Sequence, residues 1–184
     1  MENGSDNYRK YLEGDEEAFF RIVKEYKDGL VFYINSIVNN IGVSEELCED
    51  TFVRIGVKKP KNNDKASFKT WLYTIARNLS IDYLRKQKKV VLLSIDSIND
   101  VLSEEGPEEV LLKGEKKKVI VSAINKLSPK YKSIIILKYF KGFSNREISI
   151  IMKLNKHSVE TTIYRAKSAL KSELEKEGVT YENV

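Results

Sequence analysis

The sequence is poor in the residues on which several classes of protein depend. Its 184 residues include one cysteine, three prolines, nine glycines and one histidine. A single cysteine excludes an internal disulfide framework and any metal site built from several cysteines. So few prolines and glycines exclude collagen-like and other fibrous chains rich in those residues.

The chain also lacks a long hydrophobic run. No segment approaches the ~20 apolar residues that a membrane-spanning helix needs. The opening residues, MENGSDNYRK, lack the apolar stretch of a secretory signal peptide. Hydrophobic residues still make up 41% of the chain, which is enough to bury a core. We therefore expect a soluble, cytoplasmic protein with a reduced cysteine and with one domain or two small ones.

Charge is distributed unevenly along the chain, although the net charge is only +5. Residues 61–89 carry eight basic and two acidic side chains. Residues 116–184 carry fifteen basic and six acidic side chains. Between them, residues 90–115 carry one basic and seven acidic side chains. Two basic segments separated by an acidic one fit two contacts with a polyanion such as nucleic acid. Ordinary solvated helix faces are the alternative that charge alone leaves open.

Hydrophobic periodicity predicts an all-α fold, since no segment has the pattern of a buried strand. Residues 15–40 place apolar side chains at three- and four-residue spacings, with Asp15 as the predicted N-cap and Gly42 as the stop. An interior glycine costs about 1 kcal/mol relative to alanine. This segment is therefore expected to bend near Gly29 or to divide there into two helices.

Two more helices are predicted in the first block. Ser44 is the predicted N-cap of a helix over residues 45–55, whose outer face is acidic. Ser67 is the predicted N-cap of a helix over residues 68–89, which has a continuous apolar stripe and ends in a basic cluster. Tyr73 lies off this stripe, so we expect its side chain to be exposed.

A linker and a second helical block follow. Residues 90–115 lack a sustained period and are predicted to form the linker. Residues 116–184 predict four helices. The dipeptide Ser128–Pro129 marks the start of one of them. Ser144 and Glu147 fit a capping box that opens another.

The second block contains the spacing of a helix-turn-helix. Residues 145–167 predict a helix of about two turns, a tight turn and a second helix capped by Asn155. An ordinary helical hairpin inside a bundle is the alternative, but the capping box and the surrounding positive charge favour DNA binding. The polar face of the second helix would then enter a major groove. The candidate DNA contacts on that face are Lys156, His157, Ser158, Glu160, Thr161, Tyr164, Arg165 and Lys167.

Long segments of the chain resemble one family of bacterial transcription proteins. The segment FKTWLYTIARNLSIDYLRKQKK resembles the promoter-melting helix of extracytoplasmic-function (ECF) sigma factors of RNA polymerase, and SEELCEDTFVRI is similar to the helix before it. The segment LSPKYKSIIILKYFKGFSNREISIIMKLNKHSVETTIYRAKSALK is similar to the family's C-terminal module. The resemblance implies a sigma region 2 domain over residues 1–89, a linker over residues 90–115 and a region 4 domain over residues 116–184.

The resemblance also implies roles for residues of the first domain. In the family, one helix of region 2 docks on the clamp helices of the polymerase β′ subunit. The matching positions here are Glu45, Glu46, Glu49, Asp50, Phe52, Val53 and Arg54. The next loop and helix bind and open the minus-ten promoter element, where basic side chains hold the backbone and a pocket receives a flipped base. The corresponding residues are Lys61, Asn62, Asn63, Lys65, Tyr73, Arg77, Asn78, Asp82, Arg85, Lys86, Lys88 and Lys89.

The helix-turn-helix departs from the family pattern at two places. The recognition helix usually carries basic residues where this chain has Glu160, Thr161 and Thr162. An unusual minus-thirty-five sequence is therefore expected, in which Glu160 can accept a hydrogen bond from a cytosine. Lys153 stands where the turn usually has a glycine, which implies a residue near positive φ or a slightly altered turn.

The resemblance thus identifies the sequence as a sigma factor. It implies that the protein binds core RNA polymerase at two places on the polymerase, the β′ clamp helices and the β flap. It would recognise and open promoter DNA without performing chemistry itself. No cofactor, metal or small-molecule substrate is expected. An anti-sigma factor is an expected partner. We expect His157 to contact DNA rather than a metal, and Cys48 to be a packed residue rather than a redox sensor.

Two other functions remain as alternatives. A stand-alone helix-turn-helix regulator would need neither the melting helix nor the acidic docking face. A metal-dependent nuclease could use the acidic face over residues 45–50, but no histidine neighbours those carboxylates and they share one helix face.

Overall fold

The computed structural model describes residues 4–59, 66–93 and 115–178, and within these ranges the chain is helical and without β-strands, as predicted. None of the helices in these ranges combines the length and the apolar character that a bilayer crossing requires. Most of the predicted linker lies outside the described residues, and so does the side chain of Lys89. Four predicted loop contacts also lie outside them: Lys61, Asn62, Asn63 and Lys65.

The helices of the first block are α1 (Gly4–Leu12), α2 (Glu16–Val38), α3 (Ile41–Lys58) and α4 (Phe68–Leu93). Two of them begin at the predicted caps. Asp15 Oδ1 accepts a hydrogen bond from the Ala18 amide at 3.1 Å. Ser67 Oγ accepts one from the Thr70 amide at 3.2 Å. Each cap satisfies an amide that the helix itself leaves without a partner.

Helix α2 passes through Gly29 as one continuous helix and does not divide there into two. A Cβ placed at Gly29 would lie 2.7 Å from the Tyr73 hydroxyl and 2.9 Å from Lys141 Nζ. The glycine therefore permits a close approach of α4 and of the second block to α2. Close packing at this position accounts for an interior glycine.

The predicted boundary between α2 and α3 is wrong. Helix α2 ends before Gly42 because Asn39 adopts the left-handed conformation, with φ 53° and ψ 40°. Asn40 then caps α3, whereas Ser44 is buried inside that helix and donates to the Asn40 carbonyl at 2.6 Å. Asparagine both tolerates the left-handed region and caps helices well, so two adjacent asparagines end one helix and start the next.

Helix α1 is absent from the sequence-based prediction. Its Tyr8 is buried, with its ring centre 5.3 Å from that of Phe68 and 5.4 Å from that of Trp71. A helix of nine residues is marginal in isolation, so α1 depends on this tertiary packing. The hydrophobic periodicity of a segment does not reveal contacts with distant parts of the chain.

The helices of the second block are α5 (Glu115–Asn125), α6 (Pro129–Ile135), α7 (Asn145–Met152) and α8 (Lys156–Lys176). Pro129 occupies the start of α6 as predicted, although Ser128 makes no side-chain capping bond. Helix α6 continues into a π-helical turn over Ile136–Phe140, and Gly142 follows with φ 69°.

The two blocks share one core rather than standing apart. Helix α6 packs against α2, and α7 packs against α4. Buried residues of both blocks form one contiguous apolar cluster. Within the contact, the hydroxyl oxygens of Ser36 and Ser133 lie 3.0 Å apart, and both residues are buried. The sequence predicts two domains but carries no indication that they touch.

Candidate nucleic-acid interface

Helices α7 and α8 form the predicted helix-turn-helix. Ser144 and Glu147 make the complete capping box: the Glu147 amide donates to Ser144 Oγ at 3.2 Å, and the Ser144 amide donates to Glu147 Oε2 at 2.9 Å. Asn155 Oδ1 accepts from the Ser158 amide at 2.7 Å and begins α8. Lys153, in the turn, has φ 54°. The capping box, the second cap and the positive φ are thus confirmed.

The outward face of α8 carries the side chains that the sequence assigns to DNA. Tyr164 has 76% of its surface exposed, while Ser158 and Thr161 are half-buried. The other five assigned residues are exposed: Lys156, His157, Glu160, Arg165 and Lys167. The opposite face holds the helix in place through buried Val159 and Ala166. This face therefore has the geometry to enter a groove, with its side chains free of the core.

Glu160 has no bonded neighbour in the part of the chain that the structure describes. No hydrogen bond or ion pair within those residues joins its carboxylate to Lys156 or Tyr164, the side chains one turn away. The carboxylate stands among side chains facing solvent, where it can meet a base donor.

Helix α3 presents an acidic face to solvent. The four carboxylates predicted for docking, Glu45, Glu46, Glu49 and Asp50, are all exposed. Val53 continues this face and is 56% exposed, and Arg54 is exposed as well. Phe52 is buried, and it lines a cleft of about 540 Å³ between α2 and α3. A negatively charged face beside exposed apolar side chains suits a partner with a basic surface that also makes apolar contacts.

The described residues contain no cluster of three or more side chains that could hold a metal ion. Cys48 is fully buried in α3, and burial raises the pKa of its thiol to about 12. A thiol in this state is a packing group, as predicted, because the reactive form is the thiolate. His157 is exposed in the first turn of α8.

Helix α4 carries a mixed polar face. Arg77 and Asn78 are half-buried, and Arg85 pairs with exposed Asp82 at 3.5 Å. Lys86 and Lys88 are exposed beyond them. Arg77, Asn78, Asp82 and Arg85 line a cleft of about 660 Å³ that also includes Met152 and Lys153 of the helix-turn-helix. The predicted minus-ten face of α4 therefore meets the second block.

The expectation that Tyr73 is exposed is wrong. Its side chain has only 1% of its surface exposed. Its ring centre lies 5.0 Å from that of Phe143 and 5.3 Å from that of Tyr33. Burial raises the pKa of the Tyr73 hydroxyl above its ordinary value. The helical phase of α4 alone cannot predict this burial, because the covering side chains belong to other elements, Tyr33 to α2 and Phe143 to the second block.

Sequence reasoning also missed a polar link between the two blocks. Thr70 Oγ1 of α4 donates to Glu147 Oε1 at 2.9 Å, and Ser67 Oγ donates to the same oxygen at 3.3 Å. Partial burial alone would raise the pKa of Glu147, but the hydrogen bonds from Ser144, Thr70 and Ser67 outweigh it and hold the pKa below its usual value. The capping pattern indicates that Glu147 caps α7; no local pattern indicates its contact with α4.

Comparisons with known families match both blocks. The family model described as Sigma-70 region 2 matches residues 22–90, and the one described as Sigma-70, region 4 matches residues 117–170. The ECF RNA polymerase sigma factor SigW of Bacillus subtilis (strain 168) is 32% identical over 175 residues, covering 90% of this chain and 94% of that protein. SigM of the same organism is 29% identical over 151 residues, covering 82% of this chain and 91% of that protein.

Two solved structures share the fold. The sigma factor RpoE in complex with the anti-sigma factor NepR from Bartonella quintana matches with a TM-score of 0.69 at 22% identity, covering 85% of this chain and 96% of that chain. CnrH in complex with the cytosolic domain of CnrY matches with a TM-score of 0.63 at 20% identity, covering 92% of this chain and 95% of that chain.

Proposed function

Because this chain belongs to the sigma-70 family, as an RNA polymerase sigma factor of the ECF class, we propose that its exposed helix faces divide promoter recognition among them. The acidic face of α3 docks on the clamp helices of the polymerase β′ subunit, and the second block contacts the β flap. Helix α4 binds and opens the minus-ten element. Helix α8 reads the minus-thirty-five element. The polymerase, and not this chain, forms the phosphodiester bond.

The acidic face of α3 is the observation that carries this proposal. Four neighbouring carboxylates repel DNA, so they suit a protein partner with a basic surface. Val53 beside them adds apolar contact area. A stand-alone helix-turn-helix regulator has no use for such a face, and the match to region 2 covers the helix that carries it.

The outward face of α8 supports the second part of the proposal. Lys156, Arg165 and Lys167 are exposed there and can contact phosphates. Glu160 and Tyr164 lie among them and can reach base edges. On α4, Arg77 and Asn78 supply a cation and an amide for a separated strand.

The domain limits follow from the same assignment. We propose a region 2 domain over residues 1–89 and a region 4 domain over residues 116–184, joined by residues 90–115. Helix α4 continues to Leu93, so its last turn extends past the first limit.

We also propose an anti-sigma factor as a partner. Two of the solved structures that share this fold, RpoE and CnrH, were solved in complex with NepR and with the cytosolic domain of CnrY, respectively. A protein that acts with RNA polymerase on the chromosome is expected in the bacterial cytoplasm.

Charge reversal on α3 tests the docking assignment. Replacing Glu49 and Asp50 with lysine should weaken binding to core RNA polymerase, because the complementary charges that guide and hold the partner become repulsive. The matched control replaces Glu173 and Glu175, which lie on α8 and pair with Lys176 and Lys171 of the same helix. Ion pairs one turn apart along a helix contribute little to stability, so the control changes net charge equally without affecting the docking face.

The measurement is a titration of labelled protein with core polymerase, with circular dichroism to show that each variant is folded. We expect the α3 variant to bind more weakly than the control variant, and the loss to shrink as salt is raised. Equal affinities for the two folded variants would contradict the assignment of the acidic face of α3 to polymerase docking.

A further inference from the structure

The cleft beside α4 brings together cations from three separate parts of the chain. Arg77 and Arg85 belong to α4. Arg54 comes from α3, and Lys153 from the turn between α7 and α8. Among the residues that the structure places along this cleft, Asp82 is the only carboxylate. Four cations against one carboxylate give this lining a net charge of +3.

Three of these cations have no acidic partner. Arg85 pairs with Asp82 at 3.5 Å. Within the described ranges of the chain, no ion pair joins Arg54, Arg77 or Lys153 to a carboxylate. Like charges around one cleft repel one another, and a bound anion relieves that repulsion. A cleft lined by one sign of charge also concentrates ions of the opposite sign.

Lys153 is an unusual residue for its backbone conformation. Its φ of 54° and ψ of 46° lie in the left-handed region, which glycine and asparagine adopt most readily. The Lys153 amide closes α7 by donating to the carbonyls of Ser149 and Ile150, and a glycine amide would serve equally. The lysine side chain is exposed and lines the cleft. What lysine adds over glycine in this turn is therefore a cation at the cleft.

The rest of the lining is partly apolar. Trp71, Ile75 and Ile81 of α4 are half-buried along the cleft, and buried Met152 joins them from α7. A partly exposed indole offers a surface on which a flat ring can pack. The volume of about 660 Å³ falls within the range of ~300–1,000 Å³ that is usual for small-molecule sites.

We propose that this cleft binds a small molecule that carries several phosphates on a flat ring system, the chemistry of a nucleoside di- or triphosphate. Arg54, Arg77 and Lys153 hold the phosphates, and the ring lies against Trp71. The planar guanidinium group suits this role because its N–H groups match the spacing of phosphate oxygens.

A separated DNA strand is the other anion that Arg77 can hold. The cations of this cleft come from three elements around one bounded volume, which favours a compact anion over a strand that passes along one helix. The cleft shares Arg77 and Arg85 with the proposed minus-ten face, yet the inference does not depend on the proposed function.

A titration of the full chain tests the site. Trp71 is the only tryptophan of the sequence, so a change in its emission reports a ligand at the cleft. The probes are inorganic tripolyphosphate and adenosine triphosphate, without divalent cations and at constant ionic strength, since salt screens the contacts. Calorimetry gives the affinities. We expect saturable binding of both probes, and tighter binding of adenosine triphosphate because its base can pack on the indole. Equal affinities would assign the site to the polyphosphate group alone.

Two substitutions in the cleft have opposite expected effects. Lys153→Gly removes a cation and relieves the left-handed strain, so binding should weaken about five- to tenfold without loss of stability. Asp82→Asn should tighten binding about two- to fivefold, because it removes a repelling carboxylate and releases Arg85. Lys24→Gln is the matched control for Lys153→Gly, since Lys24 is exposed on α2 outside the cleft and its replacement removes the same charge.

Four results would overturn the inference. Neither probe saturates, or both bind with affinities that Lys153→Gly and Asp82→Asn leave unchanged, which would place the anion elsewhere. Equal weakening by Lys24→Gln would show that net charge alone attracts the probes. A single-stranded oligonucleotide that binds in a Lys153-dependent way while neither small probe does would assign the cleft to DNA. The titrations contain neither polymerase nor promoter, so their failure is distinct from a failure of the proposed function.

Discussion

Glu160 is the most unusual residue on the proposed DNA-reading face, and its replacement by lysine gives a quantitative test. Its carboxylate is exposed in the second turn of α8 and repels phosphate. A carboxylate is tolerated at such a place when a base donor, such as the amino group of cytosine, compensates. Glu160→Lys should therefore increase general DNA affinity and weaken discrimination at one upstream base pair.

The expected size follows from the electrostatics of DNA binding. Each phosphate contact contributes about 0.9 to the slope of log affinity against log salt. One added contact should therefore make the variant lose about 3.5-fold more affinity than the parent between ~50 and ~200 mM salt. Loss of a good base contact should cost about 1–3 kcal/mol of discrimination at that base pair.

The assay is selection on a randomised upstream element with the polymerase holoenzyme, together with affinity measured over a range of salt. Glu175→Lys is the matched control, because Glu175 is exposed on the same helix about four turns further on and pairs only with Lys171. Identical sequence preferences and salt slopes for the parent and Glu160→Lys would refute the base contact. An equal change in both lysine variants would show that the added positive charge alone causes the effect.

Further predictions concern the turn, the cysteine, the melting helix and acid stability. Lys153→Gly should raise the free energy of unfolding by about 1 kcal/mol relative to Lys153→Ala, because residue 153 has φ 54° and glycine adopts positive φ without strain. Thermal unfolding of the two variants measures this difference. Cys48 should resist alkylation at neutral pH until the protein is unfolded, as checked by mass spectrometry; rapid native-state labelling would contradict its burial. Arg77→Ala with Asn78→Ala should impair transcription from duplex promoters but much less from premelted bubbles, and equal loss on both templates would contradict a role in strand opening. The folded pKa of Glu147 is lowered, so the stability it contributes is present above its ordinary pKa of 4.5 and lost as pH falls through the folded value. Urea unfolding across that pH range should show a smaller acid loss in Glu147→Gln.

Much of the fold could be predicted from the sequence because its determinants are local. Asp15, Ser144 and Asn155 are capping residues followed by amphipathic periods, and each begins a helix as predicted. The positive φ of Lys153 also follows from its place in a short turn between two helices. A few neighbouring residues specify each of these features.

The features that could not be predicted depend on contacts between distant segments. Helix α1 exists through the packing of Tyr8, and Tyr73 is buried between Tyr33, 40 positions earlier, and Phe143, 70 positions later in the chain. Glu147 fits its capping pattern, yet its other carboxylate oxygen bonds to α4. The α2–α3 boundary failed for a different reason: several residue types compete as caps, and Asn39 prevails over Gly42 as the helix end.

The assignment of this chain as a promoter-specificity factor can be tested in one transcription experiment. Purified protein is added to core RNA polymerase with a library of DNA templates randomised upstream of the start site, and the transcripts are sequenced. We predict enrichment of a two-part upstream element that is absent with core polymerase alone. Transcripts with the same start sites and template preferences as those of core polymerase alone would contradict the assignment.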